Sequence, residues 1–246
     1  MIASLPMYDR PSNAAAHDRL WTLIRANLAA IGIDAPATLD RSVRYNDGWA
    51  RPDLMLGHIC NLPYRTSFRG KVTRIGASDY GLDDCAPGYY RSAIIARKSD
   101  PRDTLAAFEQ ARFAANALHS HSGFSALSDD AAAQGLTLPT PIITGAHDAS
   151  VIAVADGTAD FAAIDAVTWR MQQTDLPQAA SVKVIGWTPA SPGQTIITAT
   201  QHDPARMRDA MNAAIAAQDP KDAILLGLRQ IVALPTDAYD IPVAAA

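Results

Sequence analysis

Two hydroxyls and two imidazoles crowd into His119-Ser120-His121-Ser122, within the stretch Leu118 to Gly123 near the middle of the chain. Ahead of it, Arg112 to Asn116 reads as a short strand; behind it, Phe124 to Gln134 reads as a helix. A strand, a hydroxyl-rich turn and a helix start aim backbone N–H groups and serine hydroxyls at one point. The positive end of the helix dipole adds to the pull on an anion. Serine is also a favoured helix N-cap, and caps outnumber anion sites, so this turn taken alone reads as a capped helix start. Two more polar clusters fall at strand ends: Thr144, His147 and Ser150, then Asp165 with Trp169 a turn later. Tyr8, Tyr64, Tyr89 and Tyr90 add phenols, whose plain reading is a half-buried ring with its hydroxyl at the surface. The set is rich in hydrogen-bonding groups and lacks a dominant cation.

Two sharper chemistries use the same residues. Ser122, His147 and Asp165 are the types of a hydrolase triad, but the chain has no G-x-S-x-G elbow, and the order Ser, His, Asp matches none of the common triad orders. His119, His121, His147 and Asp165 are metal-ligand types without H-E-x-x-H or cysteine-rich spacing. Neither an enzyme, a metal site nor a cofactor is therefore expected. Trp21, Trp49 and Trp187 read as core residues, and Arg91 and Arg170 as surface ion-pair partners.

Those residues need a scaffold, and 246 residues suffice for one large domain or two lobes, each with its own core. Hydrophobic residues make up 48% and charged ones 19%, an ordinary globular balance. A net charge of −4 with scattered Lys and Arg argues against a nucleic-acid partner. No apolar run approaches the ~18 residues of a membrane span. Met1 to Tyr8 has no basic start and no long apolar stretch, so the chain is cytoplasmic or its leader lies outside this sequence. Of its two cysteines, Cys60 and Cys85, a bridge is slightly favoured over two buried thiols.

Strands alternate with helices along the chain. Ile2 to Met7 reads as a strand, followed by a helix from Ser12 or Asn13 to Ile31, with Leu20, Ile24, Leu28 and Ile31 on one stripe. Strands are expected at 53–56, 71–75, 92–97, 139–143, 159–164, 182–186 and 195–200. Helices are expected at 104–110 and 149–155, around Trp169, from Asp203-Pro204 with proline first, and over Lys221 to Leu234. Pro235 onward reads as a tail. Polar loops follow almost every strand, and in open α/β sheets ligands sit at the carboxyl ends of strands.

The chain resembles the phosphate- and phosphonate-binding components of ABC importers, a branch of the type II periplasmic binding proteins. The resemblance is carried by Leu56-Gly57 through Pro63-Tyr64-Arg65, by Gly88 to Ser92, by Ser120-His121-Ser122-Gly123, by Thr144 to Ser150, and by Ala159 to Asp165. It implies two α/β lobes, each a mostly parallel sheet flanked by helices and joined by two crossing hinge segments. Residues 1–91 plus 188–246 would form lobe one and 92–187 lobe two, with an oxyanion held in the cleft between them. It implies that Ser120, His121, Ser122, His147, Asp165, Tyr8 and Tyr64 bind the ligand, His121 replacing a threonine of the family's Ser-Thr-Ser turn. An imidazole there brings bulk and a pH-dependent charge, so affinity is expected to change between about pH 5.5 and 7.5. It further implies a periplasmic, monomeric solute-binding protein with an ABC permease and ATPase as partners. The competing reading is a cytosolic two-lobed sensor, or an enzyme acting on a phosphorylated small metabolite.

Overall fold

The computed structural model of the chain describes residues 1–43 and 45–241. It divides into two compact units, the first built from Met1–Tyr89 and Pro192–Asp240, the second from Tyr90–Ser191 together with Ile241. In chain order the first unit supplies β1 (Ile2–Ser4), α1 (Ala14–Ala30), α2 (Tyr45–Trp49), β2 (Leu54–Ile59), α3 (Asn61–Pro63), which runs on as a π-helical turn to Phe68, and β3 (Thr73–Asp79). β4 (Tyr89–Tyr90) follows. The second unit then supplies β5 (Ser92–Arg97), β6 (Phe113–Ala115), α4 (Ala126–Ala133), β7 (Ile142–Ile143), α5 (His147–Asp156), β8 (Phe161–Asp165), α6 (Ala166–Asp175) and β9 (Val182–Trp187). After β10 (Ser191–Pro192), β11 (Thr195–Thr198), α7 (Pro204–Ala216), α8 (Pro220–Leu226) and β12 (Gln230–Val232) complete the first unit. β4 and β10, the two short strands where the chain changes unit, pair with each other.

Each unit has a five-stranded sheet, and both sheets are mixed rather than mostly parallel. In the first the order is β1-β2-β11-β3-β12, with β1 parallel to β2, and β11 antiparallel to both β2 and β3. In the second the order is β7-β6-β8-β5-β9, with β5 antiparallel to both β8 and β9. β12, which follows α8, is antiparallel to β3, and the other two exceptions share one cause. β5 and β11 are the strands that follow directly on a change of unit, with no helix in between. Thr195 starts beside Ile59 and Ala77, toward the ends of β2 and β3; Ser92 starts beside Asp165, the end of β8. A strand that enters where its neighbours leave runs against them, whereas parallel neighbours need a crossover connection.

Alternation along these strands builds two cores per sheet. In β5, Ala93 and Ile95 pack with Val151, Val154 and Trp169, while Ile94 and Ala96 pack with Phe108, Phe113 and Leu127. In the first unit, Leu20, Trp21, Ile24 and Leu28 of α1 meet Met207 and Met211 of α7 over Met55, Ile75 and Ile196. The opposite face carries Ile2, Trp49, Leu54, Tyr64 and Tyr239.

Several expectations are corrected. The final helix stops at Leu226, where Gly227 adopts φ 65°, a left-handed turn that glycine makes without a Cβ penalty. Ile231 and Val232 belong instead to β12, tied to α7 by Asn212, whose amide bonds the N–H and C=O of Ile231 at 2.7 and 3.0 Å. Residues past Pro235 are not all tail, for Tyr239 is buried in the core. Trp187 is exposed and lies under the Arg91 guanidinium at 4.4 Å. Cys60 and Cys85 are not joined; Cys60 is buried at the end of β2 while Cys85 sits half-buried in a turn.

Candidate functional site

β6 ends at Ala115, and the chain then makes the loop that the sequence marks out. Thr144 N–H donates to Ala115 O at 2.9 Å and Gly145 N–H to Asn116 O at 3.1 Å, which pins the second polar loop to the end of this strand. Ser120 has extended backbone and caps the helix that follows: its Oγ accepts from Gly123 N–H at 3.1 Å. The first turn, His121–Ser125, is π-helical and continues into α4. A helix start leaves N–H groups without intrahelical acceptors, which is the property an anion exploits. Ser120 is therefore a cap, as the plain reading held. Its hydroxyl proton, unlike its oxygen, is not used by the cap.

Ser122 Oγ lies 3.1 Å from His147 Nε2, the first residue of α5, so the turn and the second loop converge on one hydrogen bond. Thr144 Oγ1 and Ser150 Oγ, 2.6 Å apart, brace that loop from behind. Gly123 leaves no room for a side chain as the loops stand: a Cβ would lie 1.8 Å from Asn116 Oδ1, which would have to turn away, and 3.1 Å from His147 Cε1. Asn116 joins the candidate residues, although the sequence reading gave it no ligand role; its signal was its place as the first polar side chain after a buried strand. Among the described residues, Asn116 Oδ1 and His147 Nδ1 are buried without a hydrogen-bond partner. Burial pushes the His147 imidazole below its ordinary value, and the carboxylates of Asp165 and Asp148 oppose that shift.

Asp165 ends β8 fully buried, and its Oδ1 accepts from Val167 N–H at 2.8 Å and Thr168 N–H at 3.0 Å. It caps α6, where the helix dipole favours a carboxylate. The serine–histidine half of a hydrolase triad is thus present, but the acid does not orient the imidazole, since His147 Nδ1 has no partner. His121 points its Nε2 to Ser191 Oγ at 2.8 Å and its ring toward Tyr90, centroids 6.0 Å apart. His119 is exposed, and no group of three or more metal-ligating side chains occurs among the described residues.

The second unit therefore brings Ser120, His121, Ser122, His147 and Asp165 to the carboxyl ends of β6 and β8. Tyr8 and Tyr64 lie in the first unit. Tyr64 goes into the core, its ring edge-on to Tyr239 at 5.2 Å. Tyr8 is half-buried just past β1, its ring edge-on to Tyr80 at 4.8 Å and to His58 at 5.9 Å.

A family model described as ABC transporter, phosphonate, periplasmic substrate-binding protein matches residues 69–233. Three solved structures share the fold. PhnD1 from Prochlorococcus marinus, in complex with methylphosphonate, is 15% identical with a TM-score of 0.69, over 97% of this chain and 93% of that one. XAC2383 from Xanthomonas citri, bound to ATP, is 14% identical with a TM-score of 0.68, over 98% and 93%. PA3383 from Pseudomonas aeruginosa, a binding protein component of an ABC phosphonate transporter, is 16% identical with a TM-score of 0.62, over 97% and 82%. No curated protein matches the chain in sequence. No helix among the described residues is long and apolar enough to cross a membrane.

Proposed function

We propose that this chain, which belongs to the family of ABC transporter phosphonate periplasmic substrate-binding proteins, captures phosphate, a phosphonate or a related oxyanion and hands it to a permease and its ATPase. The observation that carries the ligand class is the junction of the turn at Ser120–Gly123 with His147. Two buried serine hydroxyls, an imidazole and a helix start meet at the carboxyl end of a sheet. A tetrahedral oxyanion can be held by such neutral donors without a full counter-charge. Ser120, His121, Ser122, His147 and Asp165 form the ligand side of the second unit in this reading, with Tyr8 and Tyr64 assigned to the first. The protein works in the periplasm as a monomer and performs no chemistry on its ligand.

Calorimetric titration with phosphate, methylphosphonate, 2-aminoethylphosphonate, phosphite, sulfate and ATP tests this. Saturable binding of at least one phosphorus oxyanion is expected. Binding of sulfate alone, or of none of the six, would sink the oxyanion assignment. A preference for ATP would favour the alternative of a sensor or enzyme for a phosphorylated metabolite.

A further inference from the structure

Buried polar atoms are nearly always paired, by protein, water or ligand. Asn116 Oδ1 and His147 Nδ1 are buried, and among the described residues neither has a hydrogen-bond partner. The two belong to one place in the second unit. Both side chains converge on Gly123, where the position a Cβ would take is 1.8 Å from Asn116 Oδ1 and 3.1 Å from His147 Cε1. The imidazole edge from Nε2 to Cε1 thus runs along Ser122 and Gly123, with Nε2 3.1 Å from Ser122 Oγ, and Nδ1 is the next atom of the ring.

What these two atoms can do follows from the serine. For Ser122 to give its O–H to an oxyanion, its Oγ must accept at its other contact, so His147 Nε2 carries the hydrogen. Burial holds the ring neutral, a neutral ring has one N–H, and Nδ1 is then a lone pair. Asn116 Oδ1 is an acceptor in any case. The turn therefore offers donors, the hydroxyls of Ser120 and Ser122, and beside them two acceptors that no described protein group fills. The charges acting on the imidazole are negative as well: those of Asp165, whose Oδ1 caps α6, and of Asp148, whose Oδ1 accepts from Gln172 Nε2 at 2.7 Å. A fully ionised tetrahedral anion presents acceptors alone and meets these lone pairs unmatched. An anion that keeps one hydroxyl matches both donors and acceptors. We propose that this site selects oxyanions that still carry a proton, the serine hydroxyls donating to the ionised oxygens and Asn116 Oδ1, with His147 Nδ1 beside it, accepting the remaining O–H. This rests on the oxyanion reading above and adds the protonation state of the ligand.

Calorimetric titration with methylphosphonate and methanesulfonate tests it, for at acid pH these anions share shape and charge and differ by the hydroxyl proton. The parent is expected to bind methylphosphonate about tenfold tighter or more, and to lose affinity as rising pH removes the ligand's last proton. Asn116→Leu keeps the shape of the amide and removes the acceptor, so the ratio of the two affinities is expected to fall toward one. Asn116→Ala removes the acceptor without filling its place, and it stands in should Asn116→Leu fail to fold. Asn116→Asp keeps an acceptor and is expected to keep the preference for methylphosphonate. Equal measurable affinity of the parent for both anions, or affinity that rises with pH, would overturn proton selection while leaving the oxyanion reading intact. An undiminished ratio in folded Asn116→Leu or Asn116→Ala would overturn the role of Asn116. A parent that binds neither methylphosphonate nor phosphate overturns both readings.

Discussion

His121 Nε2 sits 2.8 Å from Ser191 Oγ, with both side chains buried. The bond fastens the hydroxyl-rich turn to the residue at which the chain leaves the second unit. Ser191→Ala removes it and leaves an imidazole nitrogen in a buried place without that partner. The expected outcome is a loss of about 1–3 kcal/mol of unfolding free energy, measured by urea denaturation. A variant as stable as the parent would show that water or another group replaces Ser191 at no cost.

Ser122→Ala removes the hydroxyl that bonds His147. Methylphosphonate affinity is expected to weaken by about 1–3 kcal/mol, the range for a charge-assisted hydrogen bond. Isothermal calorimetry decides it: equal affinity in parent and variant would reduce the turn to a helix start.

Tyr64→Phe separates core from ligand duty. The ring packs on Tyr239 within the core, so the phenylalanine variant is expected to unfold as the parent does, while loss of the phenol weakens methylphosphonate binding by about 1–3 kcal/mol. Tyr64→Ala is expected to lose about 3–5 kcal/mol of stability, the usual range for truncating a buried aromatic. Parent-like affinity in Tyr64→Phe would instead leave this phenol to the core alone.

Acid should destabilise the first unit through His58. Burial pushes its imidazole down to about 3, the charge of His17 adds to the shift, and the Met7 carbonyl opposes it. The folded state therefore holds His58 neutral, while the unfolded chain takes up a proton near pH 6.5. The unfolded state binds more protons between about pH 6.5 and 3, so stability is complete above that window and declines as pH falls through it. The slope for this one group is about 1.4 kcal/mol per pH unit. Burial lowers His17 and His147 as well, with the same sign. Urea midpoints at pH 7 and pH 4.5 should differ less in His58→Gln than in the parent; an identical difference would exclude His58 as the cause.

Much of this was legible in the residues. The helical stripe of Leu20, Ile24 and Leu28 and the Asp203-Pro204 start each correspond to a real helix: a buried face specifies the first, and an aspartate cap with a buried face specifies the second. Ser92 to Arg97 is a strand to the residue. What periodicity could not separate was Ile224 from Ile231. They fit one helical stripe, yet Gly227 turns the chain so that Ile224 is 84% exposed and Ile231 is buried in a sheet. Strand direction was hidden too, since apolar runs carry no arrow; β5 and β11 are reversed by the changes of unit, and β12 runs against β3 after α8. At the candidate site, Ser122 and His147 were singled out by residue type, and the structure places them 3.1 Å apart. Asn116 was not, because a single amide after a strand gives no pattern. His121 stood out as a departure from the family turn, whereas its bond to Ser191 joins residues 70 apart in sequence.

β11 has a consequence for how the molecule comes to exist. It lies between β2 and β3, pairing Thr195 with both Ile59 and Ala77. During synthesis the first sheet is thus made in two pieces with its middle absent, and the apolar edges of β2 and β3 have no partner until residue 198 has emerged. The second unit is nearly all continuous, Tyr90–Ser191, and its contacts close within itself. Residues 90–191 expressed alone are therefore expected to fold cooperatively, as circular dichroism melting can show, and residues 1–89 alone are not. The half-built first sheet is then the species a nascent chain must protect, and a chaperone that shields strand edges should act on this protein between those two moments.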